Sequence, residues 1–197
     1  ITPYLIYKGV NLDEFDDFFA PKLKNLLPEP FKFKDLEKGV KRLASEVIAL
    51  RPIGIFGDYD VDGATSAAII SKYLEQCGCK TLIHIPDRFL EGYGPNEKAL
   101  KGLHEKGSKL IVTVDCGISS FEPLQAMTSV DIDVIVIDHH IPDIKLPPAY
   151  AIINPKRIDT EKGYEDLCAA GVTFVFLIGL NRDCLLYTSP SPRDTEV

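Results

Sequence analysis

The chain has 197 residues, 45% of them hydrophobic and 26% charged, which is enough for one α/β domain with a buried core. No apolar stretch approaches the roughly 20 residues that span a bilayer, so no membrane-spanning helix is predicted. The net charge of −7 argues weakly against a nucleic-acid partner, unless bound cations neutralise several of the carboxylates.

The first 50 residues predict an arm followed by a helix. Several prolines interrupt the start of the chain, where a short acidic helix is predicted from Leu12 to Phe19. An amphipathic helix follows from Asp35 to about Leu50, with Asp35 as its N-cap. We expect residues 1–50 to form a short helical arm that packs on a domain formed by residues 51–183.

From residue 51 onward, short apolar runs alternate with helical segments. The runs cover residues 53–56, 81–85, 110–114, 134–137 and 151–153, and the helices between them cover about 64–76, 96–106 and 119–128. A last apolar helix is predicted from Leu167 to about Leu180. This alternation predicts an α/β fold, a Rossmann-like open parallel sheet with helices on both faces. In such sheets, functional groups collect beyond the carboxyl ends of the strands.

Three carboxylates follow the first run at a spacing of two: Asp58, Asp60 and Asp62. Alternate residues of an extended segment share a side, so these carboxylates repel one another and favour a bound cation. The segment begins like an EF-hand loop, but Ile69 stands where that loop needs Glu, and a strand precedes it. A solvated acidic turn is the other alternative, although it leaves the polar groups at the other strand ends unexplained.

The third and fourth runs are also followed directly by metal-type side chains, Asp115 and the Asp138-His139-His140 step. Singly, such residues are more often turns, caps or structural histidines than ligands. Together with the first carboxylates they predict a two-metal centre, whose oxygen and imidazole ligands suit manganese, magnesium or iron. Asp115 is the expected bridging ligand, because its strand should be central. Such a centre activates a water and stabilises the leaving oxygen of a phosphoester.

Further candidates bind phosphate or a base. Arg88 can clamp a phosphate with two hydrogen bonds, or it forms a surface ion pair. Tyr93 lies between two glycines and can stack on a base, or it packs within its loop. Gly63 to Ser66 open a helix whose backbone N–H groups can hold an anion.

A resemblance to the DHH phosphoesterases is carried by five strings in order, GDYDVDGATS, PDRFLEGYG, LIVTVDCGISS, VIVIDHHIP and AIINPK. Within these phosphoesterases the chain is most similar to the RecJ-type 5′→3′ exonucleases of single-stranded DNA, which act in DNA repair and recombination. The resemblance implies two divalent ions, manganese first and magnesium second. It implies that Asp60, Asp62, Asp115 and His139 bind them, with Asp58 close by.

The same resemblance implies that His140 contacts the scissile phosphate or orients a ligand, and that Arg88 helps to hold the DNA. It also implies one more metal-binding Asp downstream, for which Asp183 has unsuitable surroundings. Residues 168–172 are less rich in glycine than the family form. From Cys184 the chain resembles a translated transposon-type sequencing adapter, so residues 184–197 are predicted to be a non-native tail; a natural Ser/Pro linker is the alternative. We expect an N-terminal fragment that is inactive or crippled alone.

Other functions stay open from the sequence. They are a nanoRNase, a cyclic-dinucleotide phosphodiesterase, a pyrophosphatase and a non-catalytic nucleotide- or nucleic-acid-binding module. A plain dinucleotide-binding domain is disfavoured, because no G-x-G-x-x-G follows the first strand. The five cysteines indicate reduced thiols in a cytoplasmic protein, and no second Cys or His pair completes a zinc site with Cys77 and Cys79. We expect a monomer.

Overall fold

The computed structural model describes residues 2–184. Its N-terminal part consists of three short helices, α1 (Thr2–Tyr7), α2 (Phe15–Phe19) and α3 (Leu23–Leu26), and two 3₁₀ turns, Leu12–Glu14 and Pro30–Lys32. The predicted acidic helix is therefore split into a 3₁₀ turn and α2. The second 3₁₀ turn packs against the helices at residues 36–48 and 169–184, and this contact joins the arm to the domain.

The domain alternates strands and helices as the sequence predicts. The strands are β1 (Ile53–Gly57), β2 (Thr81–His84), β3 (Leu110–Val114), β4 (Asp133–Ile137) and β5 (Ala151–Ile153). The helices are α4 (Leu36–Ile48), α5 (Val61–Gln76), α6 (Glu97–Glu105), α7 (Phe121–Thr128) and α8 (Ala169–Cys184). Helix α4 lies within the predicted arm of residues 1–50, but its apolar face is part of the core under the sheet, so it packs as an element of the domain.

The five strands form one parallel sheet in the order β2-β1-β3-β4-β5. All five residues of β1 and of β3 are buried, as expected for strands that are covered on both faces. One hydrophobic core lies between the sheet and α4, α5 and α8, and the other between the sheet and α6 and α7. The predicted open sheet with helices on both faces is confirmed, and β3 is its central strand.

Two helix boundaries differ from the predictions by three residues or more. Helix α5 begins at Val61, three residues early, because Asp60 caps it and accepts a hydrogen bond from the Gly63 N–H (2.9 Å). Helix α8 does not end near Leu180 but continues to Cys184. Residues 185–197 of the predicted tail lie outside the described residues.

Asp35 precedes α4 as predicted, but its side chain does not cap the helix. Its backbone is left-handed (φ 61°), and its carboxylate turns away from the helix. The carboxylate accepts hydrogen bonds from the Ile152 N–H (3.3 Å) and from Arg157 Nη1 (2.7 Å). Asp35 thus joins the start of α4 to β5 and the segment after it.

The described residues contain no helix that is long and apolar enough to cross a membrane. Cys77, Cys79, Cys116 and Cys168 are all free thiols.

Candidate metal centre

Three carboxylates stand side by side at the carboxyl edge of the sheet, because Asp58, Asp115 and Asp138 directly follow β1, β3 and β4. Their N–H groups donate to carbonyls of the neighbouring strands (3.3, 2.9 and 3.1 Å), so each residue prolongs the sheet ladder by one step. All three side chains are buried. Burying carboxylates next to one another is unfavourable without hydrogen bonds or cations.

Of the three buried carboxylates, Asp115 has the fewest hydrogen bonds to offset the cost of its burial. It is 1% exposed, and neither carboxylate oxygen accepts a hydrogen bond. Burial, followed by the charge of Asp62, a hydrogen bond that the protonated carboxyl donates to Asp60 and the charge of Asp60, raises the pKa of Asp115 to about 8. Its backbone is left-handed (φ 61°), a conformation that few residues other than Gly, Asn and Asp adopt. A buried carboxylate without a donor is the feature that a bound cation would satisfy.

Asp115 belongs to two groups of potential ligands. The first contains Asp58, Asp60 and Asp115, and the second contains Asp115, His139 and His140. Within each group, one ligand atom per residue lies within 4.8 Å of the others. Carboxylate oxygens and imidazole nitrogens suit manganese and magnesium. The residues therefore fit two divalent ions, and the Asp115 carboxylate, directly after the central strand, is common to both groups of potential ligands.

Asp60 and Asp62 have additional structural roles. The hydrogen bond from Gly63 is the main reason why the pKa of Asp60 is lowered. The Asp62 carboxylate accepts hydrogen bonds from the N–H groups of the first two residues of α8 (2.7 and 2.8 Å). Its Oδ2 atom also lies 3.7 Å from His139 Nε2, which in turn lies 3.3 Å from Asp115 Oδ1. Asp62 therefore joins the start of α8 to the proposed centre.

Asp138 orients the two histidines. One of its oxygens accepts hydrogen bonds from the N–H groups of His139 (2.7 Å) and His140 (3.1 Å) and contacts His140 Nδ1 (2.7 Å). The other accepts from the Ile118 N–H (3.1 Å), and the Asn154 amide donates to the His140 carbonyl (2.9 Å). The contact with Asp138 is the main reason why the pKa of His140 is raised. The sequence analysis named Asp138 only as part of the Asp138-His139-His140 step and gave it no role of its own, and it did not single out Asn154, which lies in the AIINPK string.

Residues 52–190 of the chain match the protein-family model described as "DHH family, N-terminal domain". The chain belongs to the DHH family. The match extends seven residues into the predicted non-native tail of residues 184–197, and the tail stays a prediction.

Curated relatives of this DHH-family chain include single-stranded-DNA-specific exonucleases named RecJ. The chain is 37% identical over 174 residues to that of Bacillus subtilis (88% of this chain, 22% of the relative). It is 38% identical over 159 residues to that of Escherichia coli (80% of this chain, 27% of the relative). The chain thus spans about a quarter of the length of these curated relatives.

Solved structures of two exonucleases are also similar. One is RecJ bound to manganese, with a TM-score of 0.71 and 33% identity, over 85% of this chain and 40% of that chain. The other is RecJ of Thermus thermophilus in complex with Mn²⁺, with a TM-score of 0.72 and 29% identity, over 95% of this chain and 25% of that chain.

The predicted anion site at the start of α5 does not fit the structure of this DHH domain. Ser66 is fully buried, and its hydroxyl donates to the Asp62 carbonyl (2.7 Å), so it is not available to a phosphate. The Gly63 N–H is already bonded to Asp60. A Cβ atom on Gly63 would lie 2.6–2.7 Å from the backbone and Cβ of Asp58. Gly63 is thus explained by close packing of α5 against the end of β1.

We expect Gly63→Ala to lower the stability of the domain by about 1–3 kcal/mol and to disturb the carboxylates, because the added methyl group meets backbone atoms that cannot rotate away. Thermal unfolding followed by circular dichroism measures this loss. Gly102→Ala is the matched control, because a Cβ atom there meets nothing within 4 Å and Gly102 lies within α6. Equal melting temperatures for Gly63→Ala and the unmodified protein would refute the packing role.

Arg88 and Tyr93 lie at the rim of the metal centre. The Arg88 guanidinium carbon is 5.6 Å from the centre of the Tyr59 ring. The Tyr93 ring makes edge-on contacts with Tyr59 and with His140, each with 6.3 Å between ring centres. A row of side chains therefore leads from His140 outward to Arg88, and it offers aromatic faces and one cation next to the carboxylates. The roles of Arg88 and Tyr93 in binding stay predictions.

Proposed function

We propose that the complete protein carrying this chain is a RecJ-type exonuclease. It hydrolyses phosphodiester bonds of single-stranded DNA from the 5′ end, with two divalent ions, in DNA repair and recombination. The observation that carries the proposal is the buried Asp115 carboxylate, which accepts no hydrogen bond and belongs to both groups of potential ligands. The similarity to the RecJ exonucleases and to a manganese-bound RecJ structure supports it.

In this proposal the ions are held by Asp58, Asp60, Asp62, Asp115 and His139, with Mn²⁺ preferred and Mg²⁺ accepted. When bound, two such ions lower the pKa of a water molecule and stabilise the charge on the leaving oxygen. His140 binds the scissile phosphate in this proposal, because Asp138 fixes its Nδ1 atom and its side chain is 46% exposed. The raised pKa of His140 favours the protonated imidazole, which can donate to a phosphate oxygen.

Single-stranded DNA is the proposed substrate because the rim next to His140 combines aromatic rings with a cation. Tyr93 is 56% exposed and can stack on a base. Arg88 can pair with a phosphate that enters along the same row. An unpaired strand exposes both its bases and its backbone to such a surface.

We further propose a monomeric protein of the cytoplasm. The four free thiols among the described residues support a reducing compartment. Size-exclusion chromatography with light scattering tests the monomer.

The deciding experiment uses the complete gene product with Mn²⁺ and an oligonucleotide labelled at either end. We expect a 5′ label to appear at once in mononucleotides, whereas a 3′ label passes through a ladder of shortening strands. Double-stranded DNA, RNA, a linear dinucleotide, a cyclic dinucleotide and pyrophosphate serve as competing substrates. Preference for any of these over single-stranded DNA would replace the proposal by another phosphoesterase activity. Binding of single-stranded DNA without turnover would identify a binding module.

The 197-residue chain is assayed in parallel. We expect it to be inactive or much weaker than the complete protein, because the resemblance implies one more downstream Asp ligand, for which Asp183 has unsuitable surroundings. Full activity of the short chain would contradict that ligand count.

A further inference from the structure

The segment that carries Arg88 and Tyr93 is the β2–α6 loop, residues 85–96. It contains neither a helix nor a strand. Phe89 and Leu90, at the outer end of the loop, are 95% and 86% exposed, so apolar packing contributes little to its conformation there. Polar contacts therefore contribute to the positions of Arg88 and Tyr93, beside the ring contacts with Tyr59 and His140 and the buried Pro86 and Pro95 at the two ends of the loop.

One carboxylate, that of Glu91, connects both ends of this loop. Its Oε2 atom lies 2.8 Å from His84 Nε2, at the end of β2, and accepts a hydrogen bond from Asn96 Nδ2 (3.2 Å). Its Oε1 atom accepts a hydrogen bond from the Asp87 N–H (3.1 Å). These contacts, led by the one from Asp87, lower the pKa of Glu91, so the carboxylate stays ionised and acts as an acceptor.

The groups that contact Glu91 are themselves fixed by regular structure. The ring of His84 stacks on Phe56 of β1, with 5.3 Å between ring centres and an angle of 25°, and Phe56 is fully buried. Asn96 caps α6, because its Oδ1 atom accepts a hydrogen bond from the Ala99 N–H (2.8 Å). Glu91 is therefore attached to the sheet on one side and to α6 on the other.

Between these attachments, Asp87 closes a turn around Arg88. Its Oδ1 atom accepts hydrogen bonds from the N–H groups of Phe89 (2.8 Å) and Leu90 (3.1 Å), and its carbonyl accepts from the Glu91 N–H (2.8 Å). Arg88 thus lies inside a closed turn whose far end is held by the Glu91 side chain.

We propose that Glu91 is a positioning residue for substrate binding, which holds the β2–α6 loop so that Arg88 and Tyr93 face the strand at the rim of the metal centre. This inference rests on the proposed function. Neither group of potential metal ligands includes Glu91. Replacing Glu91 should therefore weaken the binding of DNA and leave the binding of metal unchanged.

The test exchanges donor and acceptor between Glu91 and Asn96 in the complete protein. Glu91→Gln places an amide against the Asn96 amide, and Asn96→Asp places a carboxylate against the Glu91 carboxylate. Asp is as good an N-cap as Asn, so α6 keeps its cap. In the double variant the amide introduced at position 91 can donate to the carboxylate introduced at position 96. The carbonyl of that amide still accepts from the Asp87 N–H.

We expect each single variant to raise the KM for single-stranded DNA about tenfold, with kcat changed less than about twofold, and the double variant to recover most of the loss. The Mn²⁺ affinity, measured by calorimetry, should be the same in the unmodified protein and in all three variants. Glu97→Gln is the control, because Glu97 begins α6 and its ion pair with Lys101 is exposed.

Three results would overturn the inference. They are an unchanged KM in both single variants, single-variant losses that add in the double variant, and a loss of Mn²⁺ affinity that parallels the loss of activity. Circular dichroism of each variant shows whether it is folded, and the double variant keeps the test valid if one single variant unfolds. Absence of activity on single-stranded DNA in the unmodified protein would instead refute the proposed function.

Discussion

Asp115→Asn should reduce hydrolysis by the complete protein by roughly a thousandfold or more. Loss of an outer-shell partner of a metal ligand typically costs about 10–100-fold, and Asp115, which belongs to both groups of potential ligands, would contact both ions directly in the proposed centre. Asn keeps the size of the side chain and tolerates the left-handed backbone at this position, where Ala would add strain. Single-turnover hydrolysis of a labelled oligonucleotide in Mn²⁺ measures the loss.

Asp131→Asn is the matched control for this substitution. Asp131 is also left-handed (φ 55°), but it is exposed and lies before β4, at the opposite edge of the sheet. We expect its activity to equal that of the unmodified protein. Full activity of Asp115→Asn would exclude a centre in which this carboxylate binds both ions. A similar loss in Asp131→Asn would trace the effect to the backbone conformation instead.

The fold follows from the sequence because the strands of a covered parallel sheet are short and apolar throughout. The runs at 110–114 and 151–153 match β3 and β5 residue for residue. The central place of β3, and hence the placement of Asp115 between neighbouring strand ends, is confirmed by the strand order. Periodicity and topology rules therefore predict which strand ends meet.

Two of the remaining differences come from contacts between residues that are distant in sequence, and the third, at Ser66, comes from a helix start that lies earlier than predicted. Asp35 has the residue type and position of an N-cap, but Arg157, 122 residues away, takes its carboxylate. Ser66 looks like a phosphate ligand at a helix start, but it lies inside the helix and bonds to the carbonyl of Asp62. No local pattern reveals that Asp62 caps α8, since Asp62 and Ala169, the first residue of that helix, are 107 residues apart. Such pairings depend on tertiary packing, which propensity and spacing do not encode.

Metal-free protein should lose stability as the pH rises from about 5 to about 8, and Mn²⁺ should restore it. The pKa of Asp115 is about 8 in the fold, against an ordinary value of 3.8. The fold therefore favours the protonated carboxyl, and this contribution is complete below about pH 4 and is lost as the pH approaches about 8. By linkage the whole shift amounts to at most about 6 kcal/mol, of which about 4 kcal/mol is lost between about pH 5 and about pH 8. In excess chelator, we expect the melting temperature of the 197-residue chain to fall by at most about 8–16 °C over this range.

Comparison with Asp115→Asn isolates this carboxylate from the other groups that titrate nearby. The raised pKa of His140 changes stability in the same direction, and the substitution leaves His140 in place. We therefore expect a smaller fall in the variant than in the unmodified protein. Mn²⁺ binds only the charged carboxylate, so it should stabilise the unmodified protein more at about pH 8 than at about pH 5 and the variant little at either. Parallel pH profiles for the two metal-free proteins would show that Asp115 is already ionised at low pH. In that case the cation would offset the cost of burying the other carboxylates at the rim, and not that of burying Asp115.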